Sequence, residues 1–156
     1  MEINDIETAA KELIKFWKLQ KISSSGNTMD KIFQFESLKG VRLPNDFRRF
    51  YLLTNGMVDL FPNDFDDKCF LFYPLEELTT LDDELMRPRD PDSEICIIFA
   101  DYMNCSWWYG VRFSNFKEGY EIVIIPSSDK YKVITQSLSE FIRLYMNDAS
   151  ALYEYE

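Results

Sequence analysis

The stretch Leu43-Pro44-Asn45-Asp46-Phe47-Arg48-Arg49-Phe50-Tyr51-Leu52-Leu53-Thr54-Asn55-Gly56 carries a helix with both ends written into it. Pro44 suits the first helical position, where a missing N–H loses no bond and a fixed φ helps. Phe47, Phe50, Tyr51 and Thr54 recur at helical spacing, which leaves Asn45, Asp46, Arg48 and Arg49 for the solvent side. Asn55-Gly56 then supplies residues that tolerate positive φ, as helix C-termini favour.

Helical periodicity also governs the residues before this block. Residues 5–20 predict an amphipathic helix, with Ile6, Ala10, Leu13 and Trp17 in one stripe and Lys11, Lys15 and Lys18 off it. Ser23-Ser24-Ser25-Gly26-Asn27 reads as a turn. A second helix is expected from about Thr28 to Leu38, with Met29, Ile32, Phe33 and Phe35 as its apolar side and Lys39-Gly40 ending it.

Beyond Gly56 the period changes. Lys68 to Tyr73 is a short aromatic run of buried-strand type. Pro74 is expected to open a helix carrying Leu75, Leu78, Leu81 and Leu85, followed by a loop from Met86 to Glu94. Ile95-Cys96-Ile97-Ile98-Phe99 is apolar on both faces, as a central strand covered on two sides must be. The next strand alternates: Trp107, Tyr109, Val111 and Phe113 point one way, Trp108, Gly110 and Arg112 the other. Ser114 to Gly119 reads as a hairpin loop, Tyr120 to Ile125 as the returning strand and Tyr131 to Ile134 as a last short strand. Ser137 and Glu140 form a capping box ahead of a helix that buries Leu138, Phe141, Ile142 and Tyr145. This order predicts an α+β fold: a largely antiparallel or mixed sheet of five or six strands, packed with N-terminal helices and a C-terminal helix.

At 156 residues, one domain spanning residues 1–156 is expected. Apolar residues at 46% exclude disorder of the whole chain. No apolar run approaches the roughly 18 residues that span a bilayer. The acidic start Met1-Glu2-Ile3-Asn4-Asp5 lacks the layout of a signal peptide. Cys69, Cys96 and Cys105 are odd in number and lack metal-type spacing, and Cys96, inside an apolar run, reads as a buried thiol. Together these favour the cytoplasm. The absence of histidine removes His-based triads, His-assisted cysteine nucleophiles and His metal ligands. The five glycines match no phosphate-loop spacing, so no cofactor is implied.

The net charge of −10 is unevenly placed. Residues 1–49 hold nine Lys/Arg and seven Asp/Glu, residues 50–101 three and thirteen, and residues 102–156 five and seven. The imbalance therefore sits in the middle third. It argues against nucleic acid or an anionic membrane as partner and for a basic protein. The plainer alternative is a solvated acidic surface that serves solubility alone.

The block Leu43-Pro44-Asn45-Asp46-Phe47-Arg48 through Asn55-Gly56 resembles the LP-x-D-(Y/F)-(K/R) … NG signature of SUKH superfamily domains of the Smi–Knr type. The order of the remaining parts is similar as well: Ile6–Trp17, Phe70 to Leu78 around Pro74, Ile95–Phe99 running into Ala100-Asp101-Tyr102, Trp107–Phe113 and Ser137–Tyr145. One departure is Asn104-Cys105-Ser106, where many relatives carry a Gly-Asp pair. The resemblance implies a non-enzymatic protein. Bacterial members look like immunity proteins that bind and neutralise a cognate polymorphic toxin, often a nuclease, whereas fungal members are linked to cell-wall synthesis. The absence of long appended tails fits the bacterial type. The expectation is a monomeric binder that occludes a toxin's basic active site; the alternative is an adaptor regulating cell-wall synthesis.

For partner contact the sequence offers three groups. Asp59, Phe61, Asp64, Phe65, Asp66 and Asp67 mix carboxylates with aromatics in a proline-containing loop, so they could steer and anchor a basic protein. Asp82, Asp83 and Glu84, with Asp90, Asp92 and Glu94 beyond them, are a second acidic group. Trp108 and Arg112 could form a platform on an open sheet face, unless a helix packs over them. The acidic residues do not read as a calcium loop, because Ile95 stands where the sixth-position glycine of an Asp90–Asp101 loop is needed. Cys105 has no histidine to make it a nucleophile.

Overall fold

The computed structural model describes residues 2–22, 25–57, 66, 69–88, 94–103, 106–127 and 130–154. Three helices come first: α1 (Glu2–Leu19), α2 (Met29–Lys39) and α3 (Asn45–Leu53). After them run β1 (Phe70–Phe72), β2 (Thr79–Thr80), α4 (Leu81–Glu84), β3 (Ile95–Tyr102), β4 (Trp107–Phe113), β5 (Tyr120–Ser127), β6 (Lys130–Thr135) and α5 (Leu138–Met146). The six strands make one antiparallel sheet in the order β1-β3-β4-β5-β6, and β2 continues the β1 side along β3. The fold is α+β, as the sequence predicts.

The helical stripes fill one face of the sheet. Ile6, Ala10, Leu13 and Trp17 of α1, Phe47, Phe50 and Tyr51 of α3, and Leu138, Phe141, Ile142 and Tyr145 of α5 are all buried. They meet Ile97, Tyr109, Val111, Ile122 and Ile124 from the strands. Ring edges meet ring faces at many contacts, for example Phe47 on Phe99, Phe99 on Phe141 and Trp17 on Phe72, while Phe70 stacks on Tyr109. A bulge in β3 carries the register from Ile98↔Gly110 to Ala100↔Tyr109, which lets both Phe99 and Ala100 enter this core.

The opening signature turns out to be architectural. Pro44 is the N-cap rather than the first helical residue; its extended ψ of 146° leaves its carbonyl to accept from Phe47 and Arg48. The side-chain oxygen of Asn55 accepts from Asn27 Nδ2 at 2.7 Å and from the Leu75 backbone N–H at 2.8 Å. It thereby ties the entry to α2, the exit of α3 and the turn after β1. Gly56 has φ +68°, and a Cβ there would lie 2.6 Å from the Tyr73 carbonyl oxygen. Glu36, buried on α2, receives the Leu43 N–H at 2.8 Å and two bonds from the Arg48 guanidinium, which pins the approach to α3. At the other end of the helical layer, the Arg143 guanidinium and the Ser139 hydroxyl hold the Asp5 carboxyl below its ordinary value and clasp α1 to α5.

Two further expectations need correction. The helix expected after Pro74 is a single 3-10 turn (Leu75–Glu77), because Thr79 and Thr80 are taken by β3 opposite Ile98 and Ile97. Only then does the short α4 begin, with the Thr80 hydroxyl accepting from Asp83 N. Phe33, expected on the buried side of α2, is 48% exposed, while Ile32, Phe35 and Glu36 face inward. A second 3-10 turn at Ser150–Tyr153 was not anticipated; it buries Leu152, whose carbonyl accepts the Tyr109 hydroxyl at 2.6 Å. Ser23, Ser24, Lys68, Asn104 and Cys105 lie outside the described residues.

Candidate functional site

The strict alternation of β4 decides which groups reach the sheet face away from the main core. Trp107, Tyr109, Val111 and Phe113 turn toward the helices; Trp108, Gly110 and Arg112 turn the other way. Register supplies their neighbours. Cys96 and Glu121 flank Arg112, Ile98 and Val123 flank Gly110, and Asp101 and Ile125 flank Trp108. Gly110 is a floor: a Cβ there would meet Cys96 Sγ at 2.9 Å and Ile125 Cδ1 at 3.1 Å.

Arg112 is the centre of this face. Its guanidinium pairs with Glu94 and, at 3.2 Å, with Glu121, and it lies 4.1 Å above the centroid of the Tyr131 ring. Two carboxylates and one ring fix a planar cation in a single orientation. Around it opens a cleft of about 340 Å³ lined by Leu81, Asp82, Arg87, Cys96, Ile125 and Lys130 as well. Arg87 is held by Asp82 at 3.1 Å. Burial pushes the Cys96 thiol up to about 12, against the pull of the Arg112 guanidinium, so it is an inert wall rather than a nucleophile.

Asp82 and Glu94 line the cleft, and Asp83 and Glu84 follow Asp82 on α4. Asp83, Glu84 and Glu94 are exposed and Asp82 is half-buried, and α4, which carries Asp82, Asp83 and Glu84, packs against β3. The three carboxylates occupy the first turn of α4, where the peptide dipoles favour negative charge. Met86, 91% exposed, projects immediately after that helix. Met, Arg and Tyr are residue types enriched at protein–protein contact surfaces.

Of the residues singled out from sequence, the structure brings Asp82 and Arg112 into this cleft and sets Asp83 and Glu84 beside Asp82 on α4. Trp108 is half-buried on the same face, opposite Ile125. Asp66 is a correction. It is 5% exposed, its Oδ1 accepts the Phe70 N–H at 2.9 Å and its Oδ2 accepts the Tyr145 hydroxyl, so it is a core anchor rather than an exposed carboxylate. Asp59, Phe61, Asp64, Phe65 and Asp67, and likewise Asp90 and Asp92, lie outside the described residues. Sequence reasoning missed Tyr131 and Glu121. The signal available was the alternation Lys130-Tyr131-Lys132-Val133 beside that of β5, but pairing it with Arg112 requires the register of three strands.

Among the described residues no group of three or more His, Cys, Asp or Glu is placed to hold a metal ion. No helix of the described residues is long and apolar enough to cross a membrane. Compared with known proteins, residues 26–144 match the model of the SMI1 / KNR4 family (SUKH-1). No curated protein matches the chain.

Proposed function

The chain belongs to the SMI1 / KNR4 family (SUKH-1), whose members are generally non-catalytic, and from that premise we propose that it is an immunity protein that neutralises a cognate protein toxin by stoichiometric binding. The observation that carries the reading is the carboxylate run Asp82-Asp83-Glu84 on α4, whose Asp82 lines the Arg112–Tyr131 cleft together with Glu94. These carboxylates steer a basic surface inward, while Tyr131 and the fixed guanidinium supply contact area in the cleft and Met86 adds an exposed apolar group after α4. The toxin best matched is a nuclease, whose cleft must be basic to hold a polyanion. An acidic protein seated there excludes the substrate by occupancy, and the affinities open to such complexes make chemistry unnecessary.

The test is association of this protein with the product of the adjacent gene, followed by stopped-flow at several salt concentrations. The variant Asp82→Lys/Asp83→Lys/Glu84→Lys should associate about tenfold more slowly at low salt and lose most of the salt dependence. An unchanged rate and an unchanged salt slope would remove this surface from the reading.

A further inference from the structure

The Asn55-Gly56 pair that closes the opening block carries a chemistry separate from docking. It is the only Asn-Gly step in the chain, since the other four glycines follow Ser25, Lys39, Tyr109 and Glu118. A backbone nitrogen can attack the side-chain amide carbon of an asparagine before it, and glycine, with no Cβ, hinders that attack least. Here a bond forms between the Gly56 nitrogen and Asn55 Cγ, and the Cγ–Nδ2 bond breaks. The amide nitrogen leaves as ammonia with the proton given up by the Gly56 nitrogen. The cyclic imide then takes up one water molecule. Opening at one carbonyl gives aspartate; opening at the other gives isoaspartate, whose main chain runs through Cγ.

Ring closure needs two movements, and the fold opposes both. The Asn55 amide must swing its Cγ over the Gly56 nitrogen. Its Oδ1 is held by Asn27 Nδ2 at 2.7 Å and the Leu75 N–H at 2.8 Å, and its Nδ2 donates to Glu76 Oε2 at 3.3 Å. The backbone joining the two residues must rotate as well. Gly56 is buried with φ +68°, and it lies so close to the end of β1 that a Cβ would come within 2.6 Å of the Tyr73 carbonyl oxygen and 2.8 Å of that of Phe72. The next N–H, of Met57, donates to the same Phe72 carbonyl at 2.9 Å.

Neither product fits the place the asparagine occupies. Aspartate sets a carboxylate against Glu76 where an amide N–H now donates, and isoaspartate lengthens the main chain by one carbon where Gly56 lies against Phe72 and Tyr73. We propose that Asn55 is a modification site that folding closes and unfolding opens, with water as the co-reactant and aspartate and isoaspartate as the products. Chains that convert while unfolded do not rebuild the Asn27–Asn55–Leu75 junction. Conversion therefore removes chains from the native pool in one direction, and a partner that binds the folded chain slows it by lowering the unfolded fraction.

Incubation of the chain at mildly alkaline pH, in buffer and in concentrated urea, tests this, with peptide mass spectrometry separating the Asn55, aspartate and isoaspartate forms. The folded chain should convert at least about a hundredfold more slowly than the unfolded one. Asn27→Ala, verified as folded by far-UV circular dichroism, should convert at least about fivefold faster in buffer than the unsubstituted chain, because one of the bonds holding the amide is gone. Chains converted in urea and returned to buffer should then unfold at a lower urea midpoint than unconverted ones. Equal rates in buffer and urea, an unchanged rate in Asn27→Ala, or an unchanged midpoint after conversion would each overturn the proposal. If Asn27→Ala does not fold, the two rates of the unsubstituted chain and the midpoint decide it.

Discussion

Removing one oxygen atom, by Tyr145→Phe, should destabilise the fold by about 2.5–6 kcal/mol. The Tyr145 hydroxyl stands between two buried groups. It accepts from Trp17 Nε1 at 2.9 Å and donates to Asp66 Oδ2. Trp17 is 0% exposed, Tyr145 3% and Asp66 5%, so water does not take over the lost bonds. Leaving the indole N–H without this acceptor costs about 1–3 kcal/mol, and taking this donor from a carboxylate about 1.5–3 kcal/mol. A domain of this kind has only about 5–15 kcal/mol in total. Urea unfolding followed by circular dichroism reads the loss directly. Trp17→Phe in the Tyr145→Phe background removes the orphaned donor, so the second substitution should cost less than Trp17→Phe does alone. A loss below about 1 kcal/mol for Tyr145→Phe would show that its hydroxyl does not hold Asp66 as an internal anchor, and strict additivity of the pair would show that Trp17 and Tyr145 are not coupled.

Two further outcomes follow from single positions. Gly56→Ala should cost at least about 2 kcal/mol, since it places a side chain at φ +68° and drives Cβ to 2.6 Å from the Tyr73 carbonyl oxygen; an unchanged melting temperature would refute the close approach. Cys96, raised from an ordinary 9.0 to about 12 by burial, should react with iodoacetamide at pH 8 about a thousandfold more slowly in the folded protein than in urea, with the rate climbing as pH rises toward 12 because only the thiolate attacks. Peptide mass spectrometry gives both rates, and equal labelling would place the thiol in solvent.

The helical stripes were legible because a helix writes its burial into spacing that one segment contains. Trp17, Phe47 and Tyr145 could each be assigned to a buried face without knowledge of the rest. The Pro74 segment shows where that fails. Leu75, Leu78, Leu81 and Leu85 satisfy helical spacing, but Thr79 and Thr80 are claimed by Ile98 and Ile97, and a strand partner outweighs a local preference. Asp66 shows the same limit for charge. Within a run of carboxylates nothing local says which one turns inward; the hydroxyl that draws it in belongs to Tyr145, in a helix at the far end of the chain.

Composition and spacing by themselves determined the α+β class, the two faces of β4, the acidic middle third and, through the Leu43–Gly56 block, the likeness to one family. The tertiary structure alone decided that Asn55 is a polar hub, that Asp66 is internal, and that Glu94, Glu121 and the Tyr131 ring converge on Arg112. The division is physical. Periodicity is a property of neighbours along the chain, whereas a site assembled from β3, β4, β5 and β6 exists only once pairing register has brought distant residues to hydrogen-bond range.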